Sequence, residues 1–84
     1  MKKLVEDVEE GLINLLGQRV TLFCMNYIYT GKLVGVNDKD VMLSDAFIVY
    51  ETGPLNEKTW KDAQPLPHDL YVMLNSVESY MILK

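Results

Sequence analysis

The sequence predicts a mostly β domain in which a short N-terminal α-helix precedes a five-stranded, strongly bent antiparallel sheet. Three observations lead there. Apolar residues at helical spacing stand only at the start of the chain, and most of the remainder alternates with a period of two or is rich in aromatic and β-branched residues. Two glycines, Gly31 and Gly35, interrupt the second of these β-type runs, where a strand interior tolerates glycine mainly at a bend or a close backbone approach.

The 84 residues, 49% of them apolar, suffice for one domain spanning 1–84. A domain this small leaves much of its surface exposed and gains from a staple or a partner subunit. With one Cys and one His, neither a disulfide nor a metal fills that role, so association with copies of itself is expected. The elements follow in order. Over residues 3–16, Val5, Val8, Leu12 and Leu15 share a helical face while Glu6, Asp7, Glu9 and Glu10 lie mostly on the other, and Gly17 supplies a C-terminal cap. Residues 19–25 alternate, with Val20, Leu22 and Cys24 against Arg19, Thr21 and Phe23. Asn26 marks a turn, residues 27–36 form the second strand, and the polar turn Asn37-Asp38-Lys39-Asp40 leads into a third strand, 41–50, that pairs antiparallel with it. Residues 51–68 hold Pro54, Pro65, Pro67 and Gly53 and read as one long loop. Two short strands, 70–75 and 79–83, close the chain.

From Leu16 to Ala46 the chain reads LGQRVTLFCMNYIYTGKLVGVNDKDVMLSDA, and this stretch resembles the first conserved motif of the Sm, LSm and Hfq family. Gly31-Lys32-Leu33-Val34-Gly35 is similar to the family's two-glycine strand, and Leu43-Ser44-Asp45-Ala46 to the end of its third strand. On this comparison the chain resembles a divergent member. Asn37 stands where the family has Asp and Asp40 where it has Asn, the loop is one residue short, and Leu74-Asn75-Ser76 carries neither the Arg-Gly of the second motif nor the Lys-His pair of Hfq-like proteins. The resemblance implies a small SH3-type barrel that closes into a homo-oligomeric ring of about five to eight subunits, a closed symmetry that leaves no free strand edge. It further implies that Asn37, Lys39, Asp40, Asn75 and Ser76 line a pore and grip one unstacked base of single-stranded, U-rich RNA in each subunit. The same turn, 37–40, also suits a simple solvated hairpin, because Asn and Asp form turns through their own side chains.

Tyr71, Met73, Tyr80 and Ile82 place apolar side chains on the last two strands, whose edges invite another chain, and they are the expected subunit interface. Trp60, among Glu57, Lys58, Lys61 and Asp62, either anchors the long loop on the barrel or meets a partner, so a protein partner at 51–68 is the alternative to RNA. No nucleophile stands beside a base, His68 has no second ligand at metal spacing, and Asp38 and Asp40 lack the glycine and distal Glu of a calcium loop. Neither an enzyme nor a cofactor is expected. A net charge of −4 opposes broad phosphate neutralisation, so any nucleic-acid contact is local. No apolar run approaches the roughly 20 residues that cross a bilayer. With acidic residues breaking the start and a single cysteine, no membrane contact and a cytoplasmic location are expected.

Overall fold

A computed structural model describes residues 11–82. These form six strands in one antiparallel sheet: β1 (Arg19–Cys24), β2 (Ile28–Val36), β3 (Asp40–Glu51), β4 (Asp62–Pro65), β5 (Leu70–Met73) and β6 (Val77–Ile82). The mostly β class and the antiparallel pairing are as the sequence predicts. The helix expected over 3–16 lies largely outside the described residues. Its last part is described, and no α-helix is found there: Ile13–Leu15 is a single 3-10 turn, closed by bonds from the Leu15 N–H to the Leu12 carbonyl and from Leu16 to Ile13. The reason is capture by the sheet. The N–H of Gly17, at φ +88°, donates to the Leu33 carbonyl at 2.7 Å, and Leu33 donates back to Gln18 at 2.9 Å, so the chain turns into β1.

The sheet runs β4, β3, β2, β1, β6, and β5 adds to β3 beside β4. β3 pairs with β2 along one edge, while its other edge takes Leu70–Met73 over Asp40 to Leu43 and Asp62–Pro65 over Phe47 to Glu51. A strand can serve two partners on one edge only if it bends between them. The bend is built at Gly31: the register passes from Thr30 opposite Phe47 to Lys32 opposite Ser44, leaving Asp45 and Ala46 against one glycine. Asp45 takes φ +47°, a left-handed conformation that Asp tolerates better than most residues. A side chain at Gly31 would meet the Ser44 carbonyl oxygen at 3.0 Å and the Ala46 Cα at 3.1 Å, which explains why the two-glycine strand needs this one.

β4 corrects the long loop of 51–68: residues 62–65 are a strand, with Pro65 at the edge opposite Phe47, where the lack of an N–H is tolerated. The fourth expected strand stops at Met73 because Leu74–Ser76 closes a 3-10 turn, and the last strand starts at Val77, two residues earlier than expected. The core comprises Val20, Leu22, Leu33, Val41, Leu43, Ala46 and Val72, with Leu33 against Leu43 and Val41 against Val72 across the ladders. Thr21 and Thr30 are as buried as these. Their hydroxyls lie 3.4 Å apart, and Thr30 donates to the Val20 carbonyl at 3.0 Å, which satisfies polar groups that burial would otherwise leave costly.

Candidate functional site

The hairpin between β2 and β3 is held by Asn37. Its Oδ1 accepts from the backbone N–H groups of Lys39 (2.7 Å) and Asp40 (2.8 Å), its Nδ2 donates to Asp40 Oδ1 at 2.7 Å, and its own N–H donates to the Asp40 carbonyl. This is the side-chain-closed turn that an Asn at the first position favours. The amide oxygen is therefore committed to the turn, and one of the two amide hydrogens remains to be offered elsewhere.

The second half of the site is the 3-10 turn Leu74–Ser76. The Leu74 N–H donates to the Lys39 carbonyl at 2.8 Å, fastening this turn to the hairpin. Between them lies a cleft of about 510 Å³ lined by Asp38, Lys39, Met73, Leu74 and Asn75. Of the five residues expected at a pore, Lys39 and Asn75 share this cleft. Asn37 and Asp40 are bonded to each other and are not in its lining, and Ser76 is used as a brace: its hydroxyl donates to the Met73 carbonyl at 2.8 Å and its carbonyl accepts from the Met25 N–H. Ser76 also reaches Cys24, whose thiol is pushed up by burial, drawn back by that hydrogen bond and raised again by the charge of Glu78.

Beside the first cleft lies a second, of about 590 Å³, formed by Leu12, Ile13, Val36, Asn37, Asp38, Leu74 and Tyr80. Asp38 and Leu74 border both, so the hairpin and the 3-10 turn form a wall common to the two clefts. Neither Asp38 nor Leu74 stands out in the sequence, because only the bond from Leu74 to Lys39 gives them a shared wall.

Tyr71 and Met73 lie on the outer face of β5, 65% and 52% exposed, on either side of buried Val72. Tyr80 and Ile82 project from β6 opposite Leu22 and Val20, and they are only partly covered. β5 pairs only with β3 and β6 only with β1 among the described residues, so each has an open edge at opposite margins of the sheet. Among the described residues no cluster of three His, Cys, Asp or Glu side chains is arranged to hold a metal, and no helix is long and apolar enough to cross a membrane. In comparison with family models and with curated proteins, the chain matches none.

Proposed function

We propose that this chain is a non-enzymatic, Sm-like ring subunit that binds single-stranded RNA in the cytoplasm where the 37–40 hairpin meets the 74–76 turn. The observation that carries this reading is the 2.8 Å bond from Leu74 to Lys39, which brings the residues Lys39 and Asn75 to one cleft. An amide can donate and accept at a base edge, and a cation beside it suits the base face or the neighbouring phosphate. Single sites of this size bind weakly, and a ring multiplies them through effective concentration. The open edges of β5 and β6 support such closure: one subunit's Tyr71 and Met73 strand can add to the Tyr80 and Ile82 strand of the next.

In an acidic chain, base contacts rather than phosphate attraction carry the affinity, so binding depends only shallowly on salt. Fluorescence anisotropy with labelled oligouridine tests this directly. Lys39→Glu should abolish binding, and Asn75→Arg should strengthen it about tenfold, the low end of the range for a hydrogen bond to a charged group. A second reading, a ring that binds a protein and no RNA, is favoured by the commitment of the Asn37 amide to Asp40 and by the apolar hollow beside the hairpin. Absence of saturable oligouridine binding, with no gain in Asn75→Arg, decides for that reading.

A further inference from the structure

The loop joining β3 to β4 is a built structure. Gly53 turns at φ +66°, the Lys61 N–H donates to the Thr52 carbonyl, Glu57 donates to Pro54, and Lys61 Nζ lies 3.3 Å from Glu51. These bonds fold the loop beside the start of β1, where Arg19, Phe47, Lys58, Thr59, Trp60 and Lys61 line most of an open depression of about 370 Å³. That volume falls at the lower end of the range of small-molecule sites. Three of the five Lys and Arg residues described line it, in a chain whose net charge is −4. The Arg19 guanidinium carbon sits 5.3 Å from the centre of the Phe47 ring, which holds it by a cation–π contact, and its Nη1 donates to the Asp45 carbonyl at 3.4 Å. Asp62 is the acidic side chain in the lining, and its carboxylate accepts from the Gln64 amide at 3.0 Å. Lys58 makes no ion pair among the described residues.

We propose that this pocket is a nucleotide site, separate from the hairpin cleft, that takes a phosphate ester on Arg19 and Lys58 and the attached base against Trp60. A guanidinium pre-oriented on a ring matches phosphate oxygens in a fixed geometry, and an indole offers a planar surface to any base. A simple anion would need only the cations, so an indole in the same lining favours a phosphate with a flat group attached. A free mononucleotide and one residue of an RNA strand share that chemistry.

Trp60 is the chain's only tryptophan, so its fluorescence reports occupancy without a label. The intact protein is titrated with adenosine monophosphate, oligoadenylate, inorganic phosphate and polyglutamate. The expected result is saturable quenching by the mononucleotide or the oligomer, weakened about tenfold in Arg19→Gln and in Lys58→Glu. Equal response to both nucleotides identifies a free mononucleotide as sufficient, and a stronger one to the oligomer identifies the strand. Lys58→Glu lies in an exposed loop and keeps the test independent of any effect of Arg19 on folding. The proposal is overturned by no saturable quenching, by phosphate or polyglutamate acting as well as the nucleotides, or by quenching that survives both substitutions.

Discussion

Replacing Gly31 by Ala probes the bend on which the whole arrangement of β4 and β5 depends. The added methyl would stand 3.0 Å from the Ser44 carbonyl oxygen, 3.1 Å from the Ala46 Cα and 3.1 Å from the Leu43 Cβ. Carbon atoms in good contact lie at roughly 3.5–4.0 Å, so about half an ångström must be found, and it must come from β3 backbone at its bulge rather than from a flexible side chain. Overpacking of this kind costs ~1–3 kcal/mol, against which Ala gains ~0.5–1 kcal/mol over Gly in backbone entropy. We expect a net loss of about 1–2 kcal/mol and, at about 4–8 °C per kcal/mol for a domain of this size, a clear fall in Tm. Gly35→Ala is the control, because its methyl meets Met42 at ordinary distances of 3.5 and 3.8 Å and should leave stability unchanged or slightly raised. Urea unfolding followed by circular dichroism and Trp60 fluorescence, at one fixed protein concentration, measures both variants. Wild-type stability in Gly31→Ala, or an equal loss in Gly35→Ala, would refute the reasoning.

Three further outcomes are expected. Replacing residues 53–61 by a four-residue linker should preserve the circular dichroism spectrum, since loop length enters chain entropy only logarithmically, whereas removing 53–66 should destabilise the protein by stripping β4 from the edge of β3. Tyr71→Lys or Ile82→Lys, at exposed side chains on the open strands, should reduce the mass seen by light scattering while leaving the subunit folded. Stability should fall in alkali: burial raises both the Cys24 thiol and the Tyr29 phenol, so the folded chain keeps protons that the unfolded chain releases. That contribution is whole below the ordinary thiol and phenol values, about 8.5 and 10, and is lost as pH rises through the raised ones, which urea titrations across this range can follow.

The strands that alternate or carry a glycine bend could be read from the chain because burial acts directly on residue pattern: Val20 and Leu22 are core residues at the positions the period of two indicates. Burial of Thr21 could not be read, because its partner hydroxyl at Thr30 comes from another strand. β4 was hidden by Pro65, which normally argues against a strand and is accommodated here only because the strand is an edge. At the hairpin, residue types alone gave two meanings for Asn37 and Asp40, and their mutual bond at 2.7 Å favours the turn-forming one. Lys39 and Asn75 come together through a main-chain bond, which leaves no trace in side-chain identity. The Arg19–Phe47 pocket was equally illegible, since it joins the first strand to a loop some forty residues away whose fold rests on backbone bonds.

Native mass spectrometry of the intact protein, with and without a short oligouridine, tests the central proposal most directly. The 9.6 kDa subunit should appear as one closed assembly of about five to eight copies, and that assembly should gain the mass of bound RNA. A 9.6 kDa monomer at micromolar concentration that takes up no oligouridine would contradict it.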